Sequence, residues 1–551
     1  MTRRDGGQIL VDQLISQGTK TVFCVPGESF LPAINAFYRR KKDIRLVVCR
    51  QEGGAAFMAD AQGKLLGEPG VCFVTRGPGA SNAVIGVHTA QQDSTPMILL
   101  IGQVGGDIID REAFQEVDYN RMFGGLCKWV ARVERTDRIP EYVKKAYQIS
   151  TSGRPGPVVL VFPEDILSGE STVLNEKKYK RIKASASRAD MVSFFSMLER
   201  STRPLFLLGG SNWSVEACNN INRFVTLHNL PVACTFRRQD RFDNKHQCYA
   251  GEVGIGINSL LRKNLGHADL IIAIGPRLGE MTTGGYEIFR ESKKQKLIHV
   301  HQGAEELGTF YSGDLMINSG MDEFCFELKQ FKNFTPKKSW SNWTRKLNQN
   351  YTDTLIVNCE KSSFADMGVF MKVLKQMVPD DSIITNGAGN YTGWVQRYWQ
   401  YETLGCQLAP TSGAMGYGVP SGIAASILNP EKFVISFSGD GCFLMNGQEL
   451  ATCMLYGARV LFIVINNGMY GTIRLHQERS YKIGKFGTEL FNPSFVGLAK
   501  SYGLFSELIT DNEQIEGAID RALSAKVSGL LELIVDPNRI TNRLTLSDFN
   551  N

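Results

Sequence analysis

The chain has 551 residues, 43% of them hydrophobic, and 61 Lys and Arg against 55 Asp and Glu give it a formal net charge of +6. That length allows several domains with large cores, and the apolar content is ordinary for a globular protein. The basic residues are scattered, and the run Arg39-Arg40-Lys41-Lys42 reads as a solvated helix end, so no nucleic-acid partner is expected. No stretch approaches the apolar length of a membrane span, and MTRRDGGQILVDQLI lacks the apolar core of a signal peptide. Twelve cysteines fall without a CxxC, most of them in apolar runs (Cys24, Cys72, Cys234), as expected of reduced core thiols in a cytoplasmic protein.

In chain order, residues 7–18 have an amphipathic helical pattern, followed by a strand at 21–25 and the turn Pro26-Gly27. A second strand at 46–49 leads into Arg50-Gln51-Glu52-Gly53-Gly54 and a helix through 66. Glu52 therefore falls on the first turn of a helix, where the helix dipole favours a carboxylate. The strand 71–75 ends in Arg76-Gly77-Pro78-Gly79, a glycine turn opening a helix that carries His88, a core histidine or a catalytic one. A strand at 97–102 precedes Ala113-Phe114-Gln115-Glu116, with Lys128 further on. Gly153-Arg154-Pro155-Gly156-Pro157 introduces the strand 158–162 that closes the first domain. Residues 168–188 are polar and Lys-rich and read as a linker.

Strands at 205–208, 231–234, 270–274 and 297–301 each follow a helical pattern, so the middle of the chain is expected to form a parallel sheet with crossover helices. A second linker is expected at 332–341. In the last third, a strand at 382–385 ends at Asn386-Gly387-Ala388-Gly389-Asn390. Ser412-Gly413-Ala414-Met415-Gly416 is the next glycine turn. The expected fold is α/β, with three doubly wound parallel-sheet domains at 1–170, 188–331 and 355–545. The first and third share a layout of strand, Gly-rich turn and helix, which points to a diverged duplication.

The segment 433–472 carries the most chemistry: FVISFSGDGCFLMNGQELATCMLYGARVLFIVINNGMYGT. A strand at 433–437 is broken by Gly439-Asp440-Gly441. Asn446 and Glu449 have capping-box spacing for a helix ending near Gly457, and a strand at 460–465 runs into Asn466-Asn467. A parallel βαβ unit puts both turns at the carboxyl edge of the sheet, where open α/β sheets bind ligands. A carboxylate and two amide oxygens then converge beside a glycine turn and a helix N-terminus. Hard oxygen donors suit Mg²⁺ or Ca²⁺ and turn amides suit phosphate, which together describe a metal-bridged diphosphate site.

Gly-Asp-Gly, 24 residues, then Asn-Asn resembles the signature of thiamine-diphosphate enzymes. The resemblance covers about the whole chain and implies a pyrimidine-binding first domain, a central domain and a diphosphate-binding third domain. It implies that Asp440, Asn467 and the backbone carbonyl of Met469 ligate Mg²⁺, which bridges the two phosphates. Gly439, Gly441, Cys442, Gly471 and Thr472 would line that end of the cofactor, with Asn390 and Gly413 beside them. Met415 would wedge beneath it. Glu52 would hydrogen-bond the aminopyrimidine and drive its tautomerism, with Gly27 and the turn at Gly77 next to it.

The pyruvate decarboxylase type has a His pair near Phe114–Gln115, and this sequence has none. It is similar instead to the acetolactate synthase branch, in which Phe114, Gln115 and Lys128 would serve as catalytic-site residues lining the mouth. The activity implied is a carboligase or lyase acting on a 2-oxo acid such as pyruvate, in a homo-oligomer of at least two subunits. The alternatives are a non-ligating 2-oxo-acid decarboxylase, a lyase for another acyl donor, and a non-catalytic cofactor-binding paralogue. Two departures stand out. The branch holds FAD in the central domain, but the acidic residues expected after Arg277 and at His301-Gln302 are replaced, so FAD is expected to be absent or loosely held. The acceptor-selecting Trp of the branch is His476 here.

Overall fold

The structure, a computed structural model, describes residues 2–288, 295–331, 334–336, 339–357 and 363–549. It divides into two compact units. The first comprises Met1–Ile182 with Gly416–Pro430 and Leu444–Arg459, and the second Lys183–Met415 with Glu431–Phe443 and Val460–Asn551.

The first unit is built on a six-stranded parallel sheet. Across the sheet the strands run Arg45–Val48, Thr21–Cys24, Gly70–Val74, Met97–Gln103, Pro157–Pro163, Trp129–Arg132. The inner strands, such as MILLIGQ over Met97–Gln103, are buried along their whole length. Continuous apolar runs of this kind belong to sheets covered on both faces. The winding direction reverses between Thr21–Cys24 and Gly70–Val74, so a crevice is expected beyond their carboxyl ends. The helix Gly418–Leu428 packs on the helix Glu52–Leu66, where the Tyr417 hydroxyl donates to Asp60 Oδ2 at 2.8 Å. The segments 416–430 and 444–459 thus belong by packing to this unit, although the sequence places them in the third domain.

The second unit holds two further six-stranded parallel sheets. The central sheet runs Tyr249–Val253, Val232–Thr235, Pro204–Leu208, Leu270–Ile274, Lys296–His301, Leu315–Asn318. In chain order that is 3-2-1-4-5-6, the order of dinucleotide-binding sheets. The last sheet runs Gln407–Leu408, Ile383–Asn386, Val434–Gly439, Val460–Asn466, Gly529–Ile534, Phe505–Ile509. Its winding, 2-1-3-4-6-5, is the same as that of the first sheet, as a duplication requires.

The α/β architecture with three doubly wound sheets is the one expected from the sequence. Three local readings change. Asn446 and Glu449 do not form a capping box: Asn446 makes no side-chain cap, and its amide donates instead to Gly416 O at 3.0 Å. The Glu449 carboxylate is drawn to other amides by tertiary contact. The polar segment before residue 188 is not a free linker. Gln13 and Gln17 accept the amides of Glu176 and Tyr179, both at 2.9 Å, and the Tyr179 ring is buried against Tyr147. Several edge strands escaped the sequence pattern, among them Trp129–Arg132 and Leu315–Asn318. They are only partly buried and so lack a strong apolar signal. The second expected linker, 332–341, lies partly outside the described residues.

Candidate active site

In the last sheet the winding reverses between Ile383–Asn386 and Val434–Gly439. Both strands end at that reversal, and a cavity of about 550 Å³ opens there. Its walls include Asn390 from the first strand's turn, Gly413 and Met415 from the second glycine turn, and Gly439, Asp440, Gly441 and Cys442 from the third. Asn467, Met469, Gly471 and Thr472 follow the strand Val460–Asn466. The second unit thus brings together all the residues expected at the diphosphate end.

Asp440 is 2% exposed. Its Oδ1 accepts from Gly441 N at 2.9 Å, and its Oδ2 from Gly468 N at 2.9 Å and Asn492 Nδ2 at 2.8 Å. Burial pushes this carboxyl above its ordinary value, and the hydrogen bonds from Gly441, Asn492 and Gly468 pull the other way. Among the described residues no Lys, Arg or His pairs with Asp440. A buried carboxylate facing a cavity is a fit for a cation. The other expected donors are also oxygens. Asn467 Oδ1 closes an Asx turn by accepting from Met469 N at 3.2 Å, and Met469 O accepts from Gly471 N at 2.9 Å, each oxygen keeping a second lone pair. Asn492 Oδ1 is buried with no hydrogen-bond partner among the described residues, a further oxygen at the same place.

The helix Gly471–Ser480 begins on the cavity wall. The amides and dipole of its first turn favour an anion, so a diphosphate held by a metal on Asp440 fits the residues present. The Thr472 hydroxyl donates to Asn390 Oδ1 at 2.9 Å and Asn390 Nδ2 to Ile540 O at 3.0 Å, tying the two turns to the tail. Gly413 has φ +70°, a conformation that favours glycine. Gly441 is required for a different reason, since a Cβ there would stand 2.6 Å from the Tyr470 ring. Met415 is half-buried, lines the cavity and packs on the core of the last sheet.

In the first unit Glu52 opens the helix Glu52–Leu66, whose N-cap Gln51 accepts from Gly54 N at 3.0 Å. Its Oε2 accepts from Asn82 Nδ2 at 2.9 Å, and its Oε1 lies 3.3 Å from where a Cβ on Gly79 would sit. Glu52 is therefore gathered with the turn Gly77–Gly79. Gly27 belongs to the same reversal point, because a Cβ on it would meet Thr75 Cβ at 2.4 Å. The loop of Phe114 and Gln115 also reaches this turn. Arg76 Nε donates to Phe114 O at 3.3 Å, and a Cβ on Gly77 would be 2.7 Å from Gln115 O. Gln115 has φ +64°, and the Phe114 side chain is 75% exposed.

Lys128 is not brought to this group. It precedes the strand Trp129–Arg132, at the amino edge of the sheet, and its Nζ donates to Ser152 O and, at 2.7 Å, to Arg154 O. His476 is exposed on the helix Gly471–Ser480 and is not among the cavity walls. Sequence reading missed Asn492, Tyr391, Tyr470 and the tail 536–545, which also wall the cavity or hold Asp440. Tyr391 and Tyr470 adjoin residues that the motifs do mark, whereas Asn492 and the tail arrive from separate loops that no motif marks.

The sequence matches three families: "Thiamine pyrophosphate enzyme, N-terminal TPP binding domain" over residues 4–122, "Thiamine pyrophosphate enzyme, central domain" over 193–328, and "Thiamine pyrophosphate enzyme, C-terminal TPP binding domain" over 387–533. It is 29% identical to a probable acetolactate synthase large subunit of Methanocaldococcus jannaschii, over 97% of this chain and 92% of that one. It is 28% identical to acetolactate synthase 3, chloroplastic, of Brassica napus, over 96% and 83%. It is 27% identical to the acetolactate synthase isozyme 2 large subunit of Escherichia coli, over 97% and 96%.

Proposed function

Because the chain belongs to the thiamine pyrophosphate enzymes, we propose that it is a carboligase of the acetolactate synthase kind. It would remove CO₂ from a 2-oxo acid such as pyruvate and join the remaining fragment to a second carbonyl compound. The observation that carries this reading is the buried Asp440 carboxylate opening onto one cavity with Asn467 and the first turn of Gly471–Ser480. Bound thiamine diphosphate supplies the electron sink for cleavage of the carboxylate.

The chain's own residues do the rest. Asp440, Asn467 and the Met469 carbonyl would hold Mg²⁺, and the first-turn amide of Thr472, with Gly471 beside it on the wall, would face the phosphates. Gly439, Gly441, Cys442, Asn390 and Gly413 shape that wall, and Met415, packed on the core of the last sheet, would support the cofactor. Glu52 holds and returns a proton at the pyrimidine ring nitrogen, which is general acid–base work by a positioned carboxyl. Gly27 and Gly77 leave room beside it. Phe114, exposed at the carboxyl edge, packs against substrate, and Gln115 donates to a carbonyl; the placement of Lys128 supports no such part. With the pyrimidine end and the diphosphate end assigned to different domains, the reading calls for at least a homodimer, located in the cytoplasm. The sequence boundaries 1–170, 188–331 and 355–545 remain the proposed domains.

Incubation with pyruvate, thiamine diphosphate and Mg²⁺ tests the activity. Acetolactate is the expected product, acetaldehyde alone would mark a simple decarboxylase, and no turnover of any 2-oxo acid would contradict the reading.

A further inference from the structure

The approach to Glu52 is built from outside its own strand and helix. Val48 N donates to the Tyr456 hydroxyl at 2.6 Å and Cys49 N to Cys24 O at 2.8 Å. Arg50 N donates to both oxygens of Glu449, at 3.1 and 3.2 Å, and Gln51 N to Glu449 Oε1 at 3.0 Å. Every amide from Val48 to Gln51 is thus bonded, and three of the four go to side chains of the segment Leu444–Arg459. The amides at 50 and 51 flank a helix start and would otherwise lack partners.

Glu449 is 0% exposed, and its Oε2 also accepts from the Thr452 hydroxyl at 2.6 Å. Burial raises its carboxyl, opposed by the bonds from Thr452, Arg50 and Gln51. A Cβ on Gly54 would stand 2.7 Å from Glu449 Oε1, so glycine at 54 is what lets the carboxylate reach the turn. A buried carboxylate is a costly way to cap two amides unless the geometry of those amides matters. The residue directly after these two amides is Glu52.

We propose that Glu449 is a positioning residue for Glu52: its carboxylate fixes the turn 50–51 and so the direction in which the Glu52 carboxyl leaves the helix. The proposal rests on the reading of Glu52 as the proton-transferring group. The test uses Glu449→Ala and Glu449→Gln in the full chain, with Glu52→Gln beside them. Three quantities are read: amide hydrogen exchange at Arg50 and Gln51 without cofactor, thiamine diphosphate affinity with Mg²⁺, and hydrogen–deuterium exchange at the thiazolium carbon of bound cofactor.

Glu449→Ala should lose protection at Arg50 and Gln51 and slow the carbon exchange about 10- to 100-fold, as small misplacements of a reacting group do, while affinity stays near wild type. Glu449→Gln keeps one acceptor oxygen and should recover part of the rate. Should Glu449→Ala fail to fold, slower carbon exchange in Glu449→Gln supports the proposal and a wild-type rate overturns it. Loss of protection and affinity together, with an unchanged carbon exchange rate, would reduce Glu449 to structural support and overturn the proposal while Glu52→Gln still slows. If Glu52→Gln itself exchanges as fast as wild type, the reading of Glu52 falls and this proposal with it.

Discussion

The Asn492 side-chain amide donates to Asp440 Oδ2 at 2.8 Å and to Asn466 Oδ1 at 3.1 Å, so one amide spans the two turns of the proposed metal site. Groups that orient a ligand carboxylate from behind typically change metal affinity about 10- to 100-fold when removed. Asn492→Ala should therefore weaken Mg²⁺-dependent thiamine diphosphate binding by about that factor, whereas Asp440→Ala should abolish it. Calorimetric titration measures both. Unchanged affinity in Asp440→Ala would remove the metal assignment altogether.

The central sheet bears on the flavin. Its strand order suits a dinucleotide, but the polar groups at its carboxyl edge are engaged with one another. Arg277 Nε donates to Glu306 at 3.1 Å, His299 Nε2 donates to Pro276 O at 2.9 Å, and His301 Nδ1 accepts from Gly303 N at 3.0 Å. Burial also drives the His299 imidazole down to about 4, so it carries no charge at neutral pH for a ligand phosphate. The purified protein should be colourless, with substoichiometric flavin at most. A yellow protein with one FAD per chain would contradict this.

Glu252 gives a pH dependence of stability. It sits on the strand Tyr249–Val253, accepts from Arg237 N at 2.8 Å, and burial pushes its carboxyl from 4.5 up to about 8. The unfolded chain releases this proton near 4.5, so between about 4.5 and 8 the folded state holds more protons. The Glu252 contribution is fully present below that window and is lost as pH rises through it. Melting temperature should fall by a few degrees across the window, and Glu252→Gln should flatten the slope. A variant with the wild-type slope would clear Glu252 of the effect.

The grouping of residues around one cavity, the proposed diphosphate end, was legible in the sequence because its parts lie close along the chain. Asp440, Asn467 and Thr472 are set by one strand–helix–strand unit, and that unit has only one way to fold onto a parallel sheet. The place of Glu52 at a strand-to-helix junction was legible for a similar reason. What escaped depends on approach between distant segments. Glu449 has capping-box spacing with Asn446, but the amides of Arg50 and Gln51 at the helix start, some 400 positions away, compete for its carboxylate and win. Asn492 sits in an irregular loop with no periodicity to mark it. Lys128 was carried over from a family pattern, and the sheet puts it at the other edge, where two carbonyls take its ammonium. The third sheet's kinship to the first showed in layout, and the shared winding of the two gives it a structural form.

Glu52, as the group that moves a proton at the pyrimidine, carries more of the proposed chemistry than any other residue. Glu52→Gln keeps the size and some hydrogen bonding but removes the proton relay. Thiamine diphosphate should still bind, since Asp440 and Asn467 are untouched. Hydrogen–deuterium exchange at the thiazolium carbon of the bound cofactor reads the step without knowledge of the substrate. The predicted result is a fall of about 100- to 10,000-fold, the usual contribution of general acid–base catalysis. Exchange as fast as in the wild type would leave Glu52 a carboxylate at a helix start, and the catalytic site would lie elsewhere.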